Sequence, residues 1–443
     1  MRLKNKEYFT SVSKVTYDTD HVGNELSYKF YKPNKIVGSK TMSEHLRIAI
    51  CYWHNFCWDG TDPFGYSTRT TPWNTSDPVD TCLNKADAVF EFISKLGVKY
   101  FTFHDTDIAP YNDDINLFTK SLYEIVDYIE NKMQETGISL LWGTANLFSH
   151  KRYLAGGATN PDPEIFACAA MQTKHALEIT HRLGGSNYVL WGGREGYDTL
   201  LNTDLKKEKE QLAKFLSLVV EHKNKIGFKG SLLIEPKPCE PTKHQYDYDT
   251  ETVYGFLLSN DLHKEFKVNI EANHATLSNH SFEHEVASAC SLGFMGSIDA
   301  NRGDQQNGWD TDQFPNSIEE MSVIMYRLLL NGGFKNGGFN FDTKVRRQSI
   351  NTTDMFYGHI GGIDVLAKSL LIADNMFHEK TIERLVKNRY SKWEGGLGKM
   401  IMKGQMDLSK LSQLIKKSEL SYNNTCSGEQ ERLENIVTRY IHN

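Results

Sequence analysis

Seven side chains of the types that bind divalent metals stand at the ends of short apolar runs in this sequence or in the loops that follow. They are Glu235, Glu271, His274, Asp299, Asp310, Asp312 and Asp342. A carboxylate near the buried end of a strand costs on the order of several kcal/mol unless a cation or hydrogen bonds compensate its charge. Oxygen ligands with a single imidazole suit hard or borderline cations. The pattern therefore predicts Mg²⁺, Mn²⁺ or Co²⁺, and more than one ion.

Spacing supports shared ligation. Glu271 and His274 are three residues apart just past a run, so a turn could place both beside one ion. Asp310 and Asp312 alternate in WDTD, and an extended loop would point both to the same side. Each acidic residue taken alone is more often a helix cap or a solvated side chain, and only their common position favours a metal centre.

Two further motifs offer proton transfer and charge stabilisation. FHDTD places His104 beside Asp105 and Asp107, and a carboxylate near an imidazole raises its basicity and makes a general base. IEPKP places Lys237 two residues after Glu235, where an ammonium group could polarise a carbonyl. The competing interpretations are a core histidine with satisfied hydrogen bonds and a plain ion pair.

Aromatic residues are dense around the same run ends, at Trp53, Phe64, Phe148 and Trp191 among others. Flat apolar faces among carboxylates suit the CH faces of a sugar and exclude water from the reaction. Each aromatic residue alone is more often packing than substrate contact.

The elements that must position these residues alternate between two periodicities. Eight β-rich runs are predicted at 48–53, 99–105, 139–145, 187–193, 231–236, 266–272, 296–300 and 337–342. Segments of helical periodicity separate them, and several end in Gly, as helix C-termini prefer. The count predicts an α/β fold, a TIM (β/α)8 barrel over residues 46–385, with an N-terminal extension (1–45) and a C-terminal helical arm (386–443). In such a barrel the strands' C-terminal ends converge on one face.

Composition excludes several classes. The net charge of −6 offers no basic surface for nucleic acid or anionic membrane. We find no apolar run of membrane-spanning length, no signal peptide and no Gly-rich dinucleotide fingerprint, so no nicotinamide or flavin is expected. Seven scattered cysteines without CxxC spacing argue against a disulfide framework and favour a cytoplasmic enzyme.

Taken together, the motifs resemble those of xylose isomerases, in the longer form with an N-terminal extension. The resemblance runs from about residue 45 to 400 and rests on FHDTD, TANLFSH, WGGREGYDTLLNTD, IEPKPCEPTKHQYDYDTET, VNIEANHATL, GSIDANRGDQQNGWDTDQFP and NFDTKVRRQS. Two residues depart from the usual pattern of that family, Cys239 where Met is common and Thr343 where Ala is common, but neither is a ligand position.

The resemblance implies two divalent ions, usually Mg²⁺ with Mn²⁺ or Co²⁺ as alternatives. The first would be held by Glu235, Glu271, Asp299 and Asp342. The second would be held by Glu271, His274, Asp310 and Asp312, so that Glu271 bridges the two ions.

The resemblance also implies the reaction, which converts D-xylose to D-xylulose, and D-glucose more slowly, by ring opening and a metal-mediated hydride shift from C2 to C1. His104 paired with Asp107 would assist ring opening, and Lys237 would bind the carbonyl oxygen at C1. Phe64 would enter the pocket of a neighbouring subunit of a homo-oligomer, typically a tetramer. The walls of the sugar pocket would be Trp53, Thr144, Phe148 and Trp191.

Two other interpretations remain open at this stage. One keeps the barrel and its metals but assigns hydrolysis, by analogy with the related metal-dependent endonuclease and sugar-epimerase barrels. Hydrolysis of nucleic acid would require a basic groove, which the motifs do not offer. The other is a non-catalytic sugar- or metal-binding barrel, which would have no use for His104, Asp107 and Lys237.

Overall fold

The computed structural model of the protein describes residues 6–18, 23–417 and 427–442. Its centre is a closed barrel of eight parallel strands, each hydrogen-bonded to the next in chain order. The strands are β1 (Ala49–Cys51), β2 (Tyr100–His104), β3 (Ser139–Thr144), β4 (Asn187–Trp191), β5 (Ser231–Glu235), β6 (Phe266–Glu271), β7 (Met295–Asp299) and β8 (Phe339–Phe341). The predicted TIM barrel is confirmed.

Helices surround the barrel and continue into a C-terminal tail. In chain order they are α1 (Met42–Leu46), α2 (Pro78–Leu96), α3 (Asp105–Ile108), α4 (Ile115–Thr136), α5 (Pro163–Arg182), α6 (Leu205–Ile226), α7 (Thr250–Ser259), α8 (Ala272–Leu277), α9 (Phe282–Ser291), α10 (Ile318–Leu330), α11 (Thr352–Glu379), α12 (Thr381–Tyr390), α13 (Gly396–Met402), α14 (Leu408–Lys417) and α15 (Gln430–His442). The helical tail expected after the barrel is therefore present. Short antiparallel pairs join Ile36–Val37 to Lys40–Thr41 and Gly196–Tyr197 to His244–Gln245.

Local sequence fixes where the long helices start and stop. In α2 the Asp77 side chain accepts the N–H of Asp80, and the helix ends at Gly97, whose φ is 70°. Helix α6 repeats this arrangement between Asp204 and Gly227. A carboxylate satisfies free N–H groups of the first turn, and Gly adopts the left-handed conformation without a Cβ penalty. The Gly termini predicted from the sequence are confirmed here.

Two irregularities of register adjust the barrel strands to each other. Between β6 and β7 the pairing passes from Val268–Met295 to Asn269–Ser297, so Gly296 is an extra residue on β7. A Cβ at Gly296 would lie 2.6 Å from the carbonyl oxygen of Val268, which explains the glycine. Between β2 and β3 the pairing likewise skips one residue of β3. Such bulges shift every later residue of the strand by one position.

The N-terminal segment packs against the outside of the barrel. Backbone N–H groups of Tyr8 and Phe9 donate to Glu91 on α2. The N–H groups of residues 29–31 donate to Asp364 on α11. Two half-buried carboxylates thus anchor the described part of this extension.

Helix α11 corrects one expectation about apolar runs. It has 28 residues and a mean hydropathy of 1.2 in its most apolar window, which makes it long and apolar enough to cross a membrane. The sequence alone suggested no run of that kind. Within that window, 61% is buried inside the protein. Its burial is that of a core helix, and length and composition alone are weak evidence for membrane insertion.

Candidate active site

The barrel register brings predicted site residues side by side at the C-terminal ends of the strands. Glu271 pairs with Asp299 across β6 and β7. Trp191 pairs with Glu235 across β4 and β5. The pairing therefore sets which side chains can meet above the barrel.

The seven candidate ligands form overlapping clusters in which single ligand atoms lie within 4.8 Å of one another. The first cluster consists of Glu235, Glu271, Asp299 and Asp342, and the second of Glu271, Asp310 and Asp312. Glu271 belongs to both clusters, as expected of a bridging ligand. His274 contacts the second cluster, with Nε2 lying 2.9 Å from Oε2 of Glu271 and 3.2 Å from Oδ2 of Asp310.

Burial dominates the electrostatics of the first cluster. Loss of solvent raises the pKa of Glu235, Glu271 and Asp299 well above their usual values, and neighbouring carboxylates raise the pKa of Glu235 and Asp299 further. A carboxylate whose pKa is raised in this way binds a proton unless a cation supplies the compensating charge. The arrangement is therefore electrostatically incomplete as a purely protein site.

The donor set fits divalent cations. Among the described residues, Oδ2 of Asp299 and Nδ1 of His274 are buried and have no hydrogen-bond partner. Six carboxylates and one imidazole are the ligands of a hard or borderline cation rather than of structural zinc. The residues present thus suit two neighbouring sites that share Glu271.

The loop carrying Asp310 and Asp312 is held by basic groups. Nζ of Lys237 lies 2.6 Å from Oδ2 of Asp310, and Nζ of Lys344 lies 2.8 Å from Oδ2 of Asp312. Burial raises the pKa of Asp310, but Lys237 and His274 together outweigh burial and hold that pKa well below its usual range. Asp312 has a φ of 43°, a conformation rarely adopted by a non-glycine residue. Asp312 thus departs from the expected extended loop and adopts a left-handed backbone conformation.

The basic residue expected beside a ligand is present, with a different partner. Lys237 was expected beside Glu235, but its ammonium group contacts Asp310 and, at 3.3 Å, Glu240. Burial alone would lower the pKa of Lys237, whereas Asp310 and Glu271 raise it above its ordinary value. Lys237 is therefore a buried permanent cation facing the pocket.

His104 and Asp107 form the pair that the FHDTD motif predicted. Nδ1 of His104 lies 3.1 Å from Oδ2 of Asp107, and the same oxygen accepts the backbone N–H of His104. Asp105 turns away and accepts hydrogen bonds from Asn146 and Gln172. Of the two acids in the motif, only Asp107 is placed to orient the imidazole.

Aromatic rings make one wall of the pocket. Phe148 contacts Trp191 edge-on at a centroid distance of 4.5 Å and His104 at 5.5 Å, and Trp53 contacts His104 at 4.6 Å. Together with acidic groups of both clusters they line one pocket at this end of the barrel. Thr144 also lines it, and its hydroxyl donates to a backbone carbonyl of β4. The result is a pocket with one apolar face and one charged face.

Phe64 is not part of this pocket in its own chain. Its side chain is 84% exposed and lies near the ring of Trp309, with 6.4 Å between centroids. The resemblance placed Phe64 in a neighbouring subunit's pocket, and its exposure here leaves it available for such a contact.

Three asparagines that sequence reasoning missed support the ligands. Each stands two residues along the chain from one predicted ligand and donates a hydrogen bond to a ligand of the neighbouring strand. The two-residue spacing could have indicated these asparagines from the sequence. Side chains two residues apart on a strand share a face. The hydrogen bonds run from Asn269 to Glu235 (3.0 Å), from Asn301 to Glu271 (2.7 Å) and from Asn340 to Asp299 (2.9 Å).

His54 was also missed, and it connects two ligands. Its Nε2 lies 3.0 Å from Oδ1 of Asp342 and 3.2 Å from Oδ2 of Asp312. Burial lowers its pKa, but the two carboxylates prevail and raise it to about 9. His54 lies in a π-helical turn, Trp53–Cys57, that begins within the predicted strand run 48–53. Its proximity to both acids depends on distant loops, so no local pattern indicated it.

Comparison with known proteins settles the family. The xylose isomerase of Haemophilus influenzae (strain PittEE) is 55% identical over 436 residues, covering 98% of this chain and 99% of that protein. The xylose isomerase of Pseudomonas fluorescens (strain Pf0-1) gives the same identity and coverage. The chain belongs to the xylose isomerase family. It is accordingly an aldose–ketose isomerase.

Two further similarities concern part of the chain or its general shape. Residues 386–441 match the family model described as the XylA2 C-terminal domain. The alignment with the crystal structure of a 3-keto-D-glucoside 4-epimerase from E. coli covers 73% of this chain and 98% of that protein, at 12% identity and a TM-score of 0.48.

Proposed function

We propose that this member of the xylose isomerase family converts D-xylose to D-xylulose, and D-glucose to D-fructose more slowly. The observation that carries the proposal is that one pocket is lined by members of both acidic clusters, including the shared Glu271, and by His104, which Asp107 orients from behind. Aldose–ketose isomerisation needs both charge stabilisation at adjacent sugar oxygens and proton transfer for ring opening.

Two divalent ions, Mg²⁺ with Mn²⁺ or Co²⁺ as alternatives, are proposed as cofactors. When bound, such ions supply Lewis-acid stabilisation of negative charge on sugar oxygens. The unpaired oxygen of Asp299 and the raised pKa values of Glu235 and Glu271 support this assignment. One ion would be held by Glu235, Glu271, Asp299 and Asp342, and the other by Glu271, His274, Asp310 and Asp312.

The protein's own groups perform the remaining tasks. His104, oriented by Asp107, moves the proton that opens the sugar ring. Lys237 lines the pocket and would donate to the carbonyl oxygen at C1 of the open chain. Thr144 would offer an oxygen as acceptor. The aromatic residues that would pack on the apolar face of the sugar and exclude water are Trp53, Phe148 and Trp191.

Assembly into a homo-oligomer, a tetramer by the family resemblance, belongs to the same proposal. The C-terminal arm (386–443) would lie on a neighbouring subunit. Helix α12, which leads into the arm, and helix α14 bury no residue, and Trp393, Met402 and Leu408 are exposed. Light scattering of the full chain tests this, since a monomeric mass would contradict it. A cytoplasmic location and the domain boundaries at 45 and 385 stay predictions.

The deciding experiment is an assay of D-xylulose formed from D-xylose by protein stripped with EDTA. We expect ketose only after Mg²⁺, Mn²⁺ or Co²⁺ is added, without any nicotinamide. Absence of product with all three ions, from protein shown by circular dichroism to be folded, would overturn the substrate assignment. Other aldoses and epimerisation would then be tested.

A further inference from the structure

A second group of metal-binding side chains lies outside the active site, at the start of helix α9. His280, His284 and Glu285 each place one ligand atom within 4.8 Å of the others. His280 directly precedes Ser281, whose side chain caps α9, and the first turns of the helix carry His284 and Glu285. A short stretch of chain at one helix end thus gathers three donors.

The carboxylate of this group is anchored and faces the imidazoles. Glu285 is 3% exposed, and its Oε2 accepts the backbone N–H of Thr250 at the start of α7. Its other oxygen, Oε1, lies 2.6 Å from Nδ1 of His280. In the part of the chain that the structure describes, Glu285 has no lysine or arginine partner. A buried carboxylate compensated by one histidine and one backbone N–H still favours an added positive charge.

The second imidazole completes the set and leaves it open to solvent. The rings of His280 and His284 meet edge-on with centroids 4.5 Å apart. His280 is partly exposed and His284 is exposed, so an ion can reach the group without opening the fold. Exposure on one side leaves room for a water molecule as a fourth ligand.

We propose that His280, His284 and Glu285 bind one Zn²⁺ ion per chain. Two imidazoles and one carboxylate suit Zn²⁺, which takes nitrogen and oxygen donors at about 2.0–2.2 Å in tetrahedral sites. Mg²⁺ prefers oxygen donors, so the active-site carboxylates and this group differ in their preferred metal. The positive end of the α9 dipole opposes a cation here, and the charge of Glu285 offsets it.

A bound ion would connect three elements around the active site. Glu285 already joins α9 to the first turn of α7. The backbone N–H of His280 donates to the carbonyl of Ala275 in α8, the helix that carries His274. Zinc at this position would therefore stabilise the C-terminal end of α8 without touching substrate.

The test is the zinc content of the full chain after equilibrium dialysis against Zn²⁺ with excess Mg²⁺, measured by mass spectrometry of the metal. We expect the H284A variant to bind one zinc fewer per chain than the parent, and H280A to do the same. Zinc that enters the active site contributes equally to the parent and to both variants, so it does not affect the difference in their zinc content. H284A removes an exposed side chain, and its unfolding temperature without metal verifies that it is folded.

The matched control is His378, an exposed helical histidine that pairs with Asp374 at 3.2 Å but lacks a second imidazole. The H378A variant is expected to retain the zinc content of the parent. Equal zinc in the parent and in H284A would overturn the proposal. An equal loss in H378A would also overturn it, because the zinc would then reflect unspecific binding to surface histidines.

Discussion

The indole Nε1 of Trp53 donates a 2.7 Å hydrogen bond to Oδ1 of Asp342. The same oxygen lies 3.0 Å from Nε2 of His54, so it is already engaged by two donors. Oδ2 is then the oxygen of Asp342 that is left for a metal ion. A residue expected only to form the sugar-pocket wall therefore also orients a candidate ligand.

Replacing Trp53 by Phe tests this relationship. The variant keeps an aromatic face but loses the donor, and hydrogen-bonded partners of metal ligands are worth about 10- to 100-fold in affinity. We expect Mn²⁺ binding, measured by calorimetry, to weaken by about tenfold. Trp142→Phe is the matched control, because Nε1 of Trp142 has no hydrogen-bond partner among the described residues and its ring lies 5.5 Å from that of Trp53. Equal weakening in both variants would contradict the role of the hydrogen bond.

Glu271→Gln is expected to abolish isomerisation, because Glu271 belongs to both acidic clusters. Titration with Mn²⁺, followed by electron paramagnetic resonance, should show two weakened sites in Glu271→Gln. Asp299→Asn should weaken one site and leave the other near its parental affinity, since Asp299 belongs to the first cluster alone. Near-normal turnover of metal-replete Glu271→Gln would sink the bridging assignment.

Asp107→Asn should slow the reaction of cyclic sugars selectively. The amide oxygen of Asn is uncharged and accepts the Nδ1–H of His104 more weakly than a carboxylate does. Loss of general acid–base catalysis typically costs at least about 10²-fold. We expect a fall of that size in kcat with D-xylose, and little change with glyceraldehyde, which cannot close a ring. Asp113→Asn serves as the control, since it alters an exposed Asp–His150 pair outside the pocket. Equal losses with both sugars would exclude a role in ring opening.

His359 predicts a specific acid sensitivity of the fold. It is buried between Phe92, Phe314 and Phe341, and burial lowers its pKa to about 4. The unfolded chain therefore binds this proton below about pH 6.5, while the folded protein does so only below about pH 4. Stability is lost as pH falls through that window, by up to about 3 kcal/mol.

The measurement is urea unfolding of metal-free protein between about pH 7 and pH 4, comparing the parent with His359→Phe. The Phe variant cannot bind this proton. Between about pH 7 and pH 4 its free energy of unfolding should therefore fall by up to about 3 kcal/mol less than that of the parent. His378→Phe, at an exposed position, should follow the parent. Parallel curves for all three proteins would show that His359 does not contribute.

The barrel was predictable because parallel strands buried on both faces leave a strong local pattern in the sequence. Each of the eight predicted runs overlaps a strand, and the predicted ligands of β5, β6 and β7 are the last residues of their strands. The prediction was wrong at the end of β1. The apolar run continues to Trp53, but the backbone enters a π-helical turn there, from which Trp53 and His54 contact Asp342.

Long-range pairing between loops could not be read from the sequence. Lys237 was expected beside Glu235, yet its partner is Asp310, 73 residues away. His54 was overlooked for the same reason, since its partners follow β7 and β8. The supporting asparagines were within reach of sequence reasoning, because Asn340, for example, stands two residues before a predicted ligand.

The extra residue Gly296 determines which residue of β7 pairs with Glu271, and therefore which side chains can join the first acidic cluster. With Gly296 paired as an ordinary ladder residue, counting on from the preceding pair would set Ile298, not Asp299, beside Glu271. Because successive side chains of a strand point to opposite faces, the carboxylate of Asp299 would then leave the cluster. A side chain at position 296 would collide with a backbone carbonyl oxygen of β6. The collision would favour the alternative pairing, in which Ile298 lies beside Glu271. Gly296, which has no side chain, thus maintains the pairing that brings Glu271 and Asp299 together. Its replacement would alter the candidate metal site even though every ligand residue remained in the sequence.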